Sequence, residues 1–285
     1  MYCGAKPIFV DINKRTYNIE PKAIIEKINK NTKAIIPVHI FGQSADMDEI
    51  IETATDHNIP IIEDAACALG AKYKDKFVGT IGDIGCFSFH ARKGITTGEG
   101  GMVITNNPTL AEKIRRLSVF GMIPAKDRKG SDKLTFGVFP DLGYNYKMSD
   151  ISAAVGVAQL KKLDKIIKKK IELAKYFNSE LNKIEKITAP YVEKDRNHIY
   201  QSYVTILDKK INRNELISKL RRLGIQTQIG TYSSHIQPIY KSSDKCPVSF
   251  ETFNTALALP MFYELTMEEI DIIVSKLRNV MEGIR

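Results

Sequence analysis

The sequence predicts an α/β fold on a mostly parallel sheet, then a long connecting helix, then a smaller α+β unit. Three observations carry this. Short apolar runs alternate with helix-period segments through the first half. From Ser149 the apolar residues keep a helical spacing to about residue 184, too long for an ordinary crossover helix. Beyond that, a strand run and two signalled helices remain. The predicted boundaries are 1–148 for the large unit, 149–184 for the joining helix and 185–285 for the small unit.

Each element has its own signal. KAIIPVHI (33–40) is nearly continuous in apolar residues, as a strand buried on both faces would be. Asp46, with Glu49 three residues on, predicts a capped helix burying Ile50, Ile51 and Ala54, closed at Asn58. IPIIED (59–64), IGCFSFH (84–90) and Gly101–Thr105 are the next strands. Asn107-Pro108 predicts a helix start, with Leu110, Ile114 and Leu117 inward. In the small unit, QSYVTILD (201–208) alternates like a strand, Asn212–Leu223 is a helix stopped by Gly224, and Thr266 with Glu269 is a capping box before Ile270, Ile273, Val274 and Leu277.

Composition narrows the function. Forty-two Lys and Arg against 33 Asp and Glu give a net charge of +9, which favours anionic partners such as nucleotides or phosphates. The basic run KKLDKIIKKK (161–170) has no aromatic interleaving and belongs to no nucleic-acid motif, so it is read as a solvated helix face. No run approaches the ~20 apolar residues of a membrane span, and the first residues lack the pattern of a signal peptide. The four cysteines, Cys3, Cys67, Cys86 and Cys246, form no C-x-x-C pair. A zinc site, a redox pair and a disulfide framework are therefore not expected, and the cytoplasm is.

The chemistry concentrates in two segments. IIEDAACALGA puts Glu63 and Asp64 at the carboxyl end of a buried strand, where open α/β sheets bind ligands. A single Asp after a strand is better read as capping the next turn. SFHARKGITTGEGG (88–101) runs off the following strand with Ser88, His90, Arg92, Lys93 and several glycines. Lys93 by itself is a phosphate clamp, a surface residue or a Schiff-base nucleophile; the last needs an unprotonated amine, which the cationic neighbours Arg92 and His90 favour. The glycines allow close backbone approach to a bound group but match neither a dinucleotide fingerprint nor a Walker loop. An acid and a lysine at adjacent strand ends, with a hydroxyl nearby, form the set that pyridoxal 5'-phosphate requires. The acid keeps the pyridine nitrogen protonated, the lysine bonds the aldehyde and moves the proton, and hydroxyls and amides hold the phosphate.

With these residues in place, the chain resembles the DegT/DnrJ/EryC1/StrS family of sugar aminotransferases. The resemblance runs through PVHIFGQSADMD (37–48), IEDAACALGA (62–71), CFSFHARKGITTGEGGMVIT (86–105), GYNYKMSDISAAVGVAQLKKLD (143–164) and GIQTQIGTYSSHIQPIY (224–240). It implies a three-layer large domain of fold-type I. It also implies pyridoxal phosphate as cofactor, and amino transfer, commonly from glutamate, to a nucleotide-linked keto sugar for polysaccharide or amino-sugar biosynthesis. Lys93 matches the lysine that bonds the cofactor, where the sugar 3-dehydrase branch has a histidine. Asp64 matches the acid facing the pyridine nitrogen, and Ser88 a phosphate-contacting hydroxyl. Asn145 matches an asparagine that reaches the cofactor phosphate of a partner subunit, so a homodimer with shared sites is implied. His235 falls in the segment near the nucleotide-sugar site, and His90 is assigned to the same substrate side.

Two departures bear on these expectations. Cys67 stands where many members carry a histidine, glutamine or glutamate against the cofactor; it is read either as an altered ring contact or as a core cysteine. The family also has an N-terminal region ahead of the GAKP segment, with a small-residue phosphate-binding turn and an aromatic over the ring. Relative to it this sequence reads as N-terminally truncated, and the expectation is that the 285-residue chain alone binds the cofactor poorly and aggregates through exposed apolar surface. The competing reading is a non-catalytic remnant or partner-binding subunit of the same fold.

Overall fold

The computed structural model describes residues 1–123 and 136–283. Its first half holds α1 (Pro21–Ile25), α2 (Met47–Asp56), β1 (Ile62–Asp64), β2 (Lys72–Tyr73), β3 (Lys76–Phe77), β4 (Ile84–Ser88), β5 (Gly101–Ile104) and α3 (Pro108–Ser118). β1 and β4 run parallel, with Ile62 opposite Ile84 and Asp64 opposite Cys86. β5 pairs antiparallel to β4, with Ser88 opposite Gly101. On the other side of β1, Ile35 bridges to Ile61 and Val38 to Asp64, both parallel. The 33–40 strand thus exists as two bridges around Pro37, which cannot donate to a ladder but accepts from the Asp64 N–H at 2.9 Å.

α2 buries Ile50 and Ala54, but its expected cap is used elsewhere. The Asp46 side chain makes no cap bond to the first turn; its Oδ1 accepts from Arg196 Nη2 at 2.8 Å. Asn58 closes the helix region with φ of 51°. α3 begins as expected, with the Asn107 side chain accepting from the Thr109 and Leu110 N–H groups. None of its residues is buried, so its apolar stripe is only partly covered.

The long joining helix is two helices, α4 (Asp150–Leu160) and α5 (Leu163–Leu181). The break falls at Lys161-Lys162. Apolar spacing continues across it, which is why the pattern reads as unbroken. α5 buries Leu173, Ala174, Phe177 and Leu181, whereas α4 buries nothing.

The second half adds β6 (Ile187–Thr188), β7 (Arg196–Asn197), β8 (Tyr203–Leu207), α6 (Arg213–Arg222), β9 (Gln228–Ile229), α7 (Pro247–Thr255), β10 (Ala256–Leu259) and α8 (Met267–Glu282). An antiparallel sheet runs in the order β6-β8-β10-β9. β8 is covered on both faces rather than alternating. Tyr203 and Leu207 join the core with Phe177, Leu216, Leu257, Ile270 and Leu277, while Val204 packs on Phe41 and Ala256. The capping box at Thr266 and Glu269 is present, as are the Asn212 cap and the positive φ at Gly224.

Long-range bonds join the start of the chain to this half. Asp11 accepts from the Val248 and Ser249 N–H groups at the start of α7, where a carboxylate favours the helix dipole. Asp244 accepts from the Phe9 N–H and from Lys27 Nζ. No helix among the described residues is long and apolar enough to cross a membrane.

Candidate active site

The two adjacent acids at the end of β1 point to different work. Glu63 is fully buried. It accepts from the Gly79, Ile81 and Gly82 N–H groups at 2.6–2.7 Å and meets His39 Nε2 at 2.9 Å. His39 Nδ1 accepts from the Ala45 N–H, so its proton sits on Nε2 and is donated to Glu63. Burial pushes the Glu63 carboxyl up, but the bonds from His39, Gly82 and Gly79 outweigh it and hold the group below its ordinary range. Glu63 therefore ties the 79–82 turn to the sheet.

Asp64 is partly exposed at the same strand end. Its Oδ1 accepts from the Ala66 N–H at 3.0 Å; Oδ2 has no protein partner among the described residues. Its charge, after burial, raises the pKa of the Cys86 thiol across the strand pair.

β4 delivers Ser88 and the lysine segment. Ser88 Oγ accepts from the His90 N–H at a long 3.3 Å, which leaves the hydroxyl proton to donate elsewhere. The segment closes on itself. Thr97 N–H bonds the Phe89 carbonyl at 3.0 Å, Thr96 Oγ1 bonds the same carbonyl, and Thr97 Oγ1 bonds the Glu99 carbonyl. Gly98 takes φ of 82°, open to glycine without strain. At Gly100 a Cβ would come within 2.4 Å of Thr97 Oγ1, so the turn needs glycine there.

Lys93 Nζ lies 3.1 Å from Cys67 Sγ. Both line a small cleft with Ser88, Ile95, Ile199 and Gln201. The fold thus brings Lys93, Cys67 and Ser88 together, with Asp64 three residues before Cys67 at the end of β1. The cleft residues Gln201 and Ile199 went unread in the sequence, which marked Gln201 only as the first position of a strand.

The remaining expected site residues lie outside this cleft. His90 forms a turn with Lys93, its carbonyl accepting the Lys93 N–H at 2.9 Å, and its Nε2 is 3.7 Å from Glu99. Asn145 is exposed, bridged to Val119, between Tyr144 and Tyr146, which stack at 4.8 Å. Its Oδ1 accepts from Lys147 Nζ. His235 sits in a short 3-10 turn, its Nδ1 2.9 Å from the buried Ser233 hydroxyl, which also meets Ser249 Oγ.

The fold places the chain in a class, the fold-type I pyridoxal-phosphate aminotransferases, solved members of which superpose on it. The profile of the DegT/DnrJ/EryC1/StrS aminotransferase family matches residues 1–278, and the chain belongs to that family. It is 36% identical over 285 residues to the GDP-perosamine synthase of Caulobacter vibrioides, covering 98% of this chain and 74% of that one. It is 35% identical to the spore coat polysaccharide biosynthesis protein SpsC of Bacillus subtilis, covering 99% and 75%. Among solved structures, Helicobacter pylori PseC, an aminotransferase in pseudoaminic acid biosynthesis, superposes with a TM-score of 0.91 at 26% identity, covering 99% of this chain and 75% of that one. The chain is by this kinship a sugar aminotransferase, and its cofactor is pyridoxal phosphate.

The groups at these strand ends have the chemistry that cofactor needs. Lys93 offers an amine whose one described partner is a neutral-capable thiol. Asp64 offers a carboxylate oxygen without a protein donor, and Ser88 a hydroxyl with its proton free.

Proposed function

We propose that this chain transfers an amino group from an amino acid, glutamate being the expected donor, to a keto sugar carried on a nucleotide. The observation that carries the reading is the Lys93 amine in a cleft at the strand ends, 3.1 Å from Cys67 Sγ and lined also by Ser88. Bound there, pyridoxal phosphate supplies an aldehyde and an electron-withdrawing ring. Lys93 Nζ is the amine that would bond that aldehyde, and the group that would carry the proton between carbons. That work needs an unprotonated amine, and the described surroundings of Nζ place no carboxylate against it. Asp64 Oδ2 would accept from the ring nitrogen and keep its proton in place, Ser88 Oγ would donate to the phosphate, and Cys67, whose thiol meets Lys93, would lie against the ring. His235, its Nδ1 tied to Ser233, and His90 face the nucleotide sugar.

We further propose that two copies share their sites, with Asn145 reaching the phosphate of the other copy. In support, the Asn145 segment and the helix that follows it leave Leu142, Tyr146, Ile151 and Val157 exposed. The cytoplasm is the compartment we assign, in keeping with four free cysteines.

The test is direct. The purified chain, saturated with pyridoxal phosphate, is reduced with borohydride and digested. The expected result is a reduced cofactor adduct on the Lys93 peptide, lost in Lys93→Ala, and amino-sugar formation from glutamate with a GDP- or UDP-linked keto sugar. An adduct that persists in Lys93→Ala sinks the assignment. A chain that carries no adduct at saturation supports the non-catalytic reading instead.

A further inference from the structure

The turn 198–202 reaches from the β8 sheet into the Lys93 cleft. Tyr200 takes φ of 50°, its N–H bonds His198 Nδ1 at 2.9 Å, and the two rings stack at 4.1 Å. The Ile199 N–H bonds the Gly42 carbonyl at 2.9 Å. A Cβ on Gly42 would come within 2.7 Å of Ile199, so the turn seats directly on that glycine. This geometry puts Gln201 at the cleft.

Every polar atom on the Gln201 side chain is engaged. Ser202 Oγ donates to Oε1 at 2.9 Å, which sets the amide so that Nε2 faces the other way. Nε2 donates to the Arg92 carbonyl at 3.1 Å. The Gln201 main-chain carbonyl accepts from Lys170 Nζ of α5 at 3.3 Å, and Lys170 is buried. Arg92 is the residue before Lys93. Apart from the Lys93–Cys67 contact, the other hydrogen bonds of residues 90–99 among the described residues stay within 88–101.

We propose that Gln201 is a positioning residue for Lys93, tying the Arg92 carbonyl to the α5–β8 body so that the self-closed segment presents its amine to the cleft. The proposal rests on the reading of Lys93 as the reactive amine. Gln201 acts on the loop by a side-chain donor from 109 residues away, while Lys170 Nζ holds the Gln201 main-chain carbonyl.

Hydrogen exchange on the full chain without cofactor tests the tie. Gln201→Glu keeps the shape but replaces the donor with an acceptor. Gln201→Met keeps the stem, removes the donor and adds no charge. In both, the Lys93 and Thr97 amides should exchange roughly five- to tenfold faster, the share of one hydrogen bond, while β8 and α5 amides keep their protection. Borohydride trapping of pyridoxal phosphate at Lys93 should slow by a similar factor, roughly five- to tenfold. Wild-type exchange in the Met variant overturns the proposal, even if the Glu variant exchanges faster, because repulsion rather than a lost donor would then explain the effect. The exchange arm needs no cofactor, so it fails only if the tie fails. A wild-type chain that traps no cofactor strikes the functional reading instead.

Discussion

The core around α5, β8, β10 and α8 and the sheet that carries Asp64 and Ser88 bury their apolar residues differently. In the first, Phe177, Tyr203, Leu216, Leu257, Ile270 and Leu277 are sealed from solvent. In the second, β5 leaves Met102 and Val103 exposed, Ile36 and Val38 are exposed beside β1, and α4 buries nothing at all. The cleft side has a buried cluster of its own, with Ile35, Met47, Ile50, Ile61, Ala65 and Ile199, and adds specific polar bonds, such as those to Glu63 and Gln201. Substitutions in the sealed core should therefore act through lost packing, and those at Glu63 through lost hydrogen bonds.

The largest effect belongs to the sealed core. Phe177 stacks on Tyr203 at 4.8 Å, and Phe177→Ala should cost about 3–5 kcal/mol of unfolding free energy, read by urea denaturation. Glu63→Gln comes next, at about 2–3 kcal/mol, because it removes the charged acceptor of the His39 N–H and turns an amide N–H toward buried donors. This loss should depend on pH. The folded pKa of Glu63 lies below its ordinary 4.5, so its stabilisation is fully present above that value and disappears as pH falls through the folded pKa. The gap between wild type and Glu63→Gln should close on acidification. A pH-independent gap would assign the effect to packing, and the contrast between the regions would fail.

Lys170 sits at the junction of the two regions and gives the opposite sign. Burial lowers its pKa from 10.5 to about 8, and the same burial, with Lys170 itself, holds His198 neutral. Below pH 8 the folded chain carries the full cost of a buried ammonium. From pH 8 to 10.5 the unfolded chain binds more protons than the folded one, so stability rises with pH across that window. Lys170→Met should raise stability at pH 7 by on the order of 1–2 kcal/mol, the buried charge offset in part by the carbonyl of Gln201 left without its donor. The gain should shrink toward pH 10.5. Denaturation midpoints at pH 7 and pH 10 measure both.

Much of this was legible in the sequence where local chemistry decides the outcome. The helix starts near Asn107 and Asn212, the capping box at Thr266 and the stop at Gly224 depend on a few adjacent residues, and each is formed. That Lys93 and Ser88 meet at one cleft was legible because strand ends and glycines mark their segment. What was hidden depends on distant partners. Asp46 reads as a cap, yet Arg196, 150 residues on, takes its carboxylate. Glu63 and Asp64 are neighbours of the same type, and only the 79–82 turn and His39 separate their roles. Gln201 reads as an ordinary strand residue until the turn over Gly42 brings it to Arg92. The break between α4 and α5 leaves the apolar period intact, so spacing alone does not reveal it.

The smallest effect on the folded chain should come from the exposed side of the comparison, and it is the most informative about assembly. Ile151 is 82% exposed on a helix with no buried residue. Ile151→Lys removes no packing within the chain, so its unfolding free energy should stay within about 0.5 kcal/mol of wild type. If two copies meet across α4 and the Asn145 segment, a lysine there puts a charge into an apolar contact. Sedimentation should then shift the variant toward the monomer while its denaturation curve, measured dilute, overlays that of wild type. Unchanged sedimentation would move the shared-site arrangement to another face and leave this helix as surface whose apolar residues serve no contact between copies.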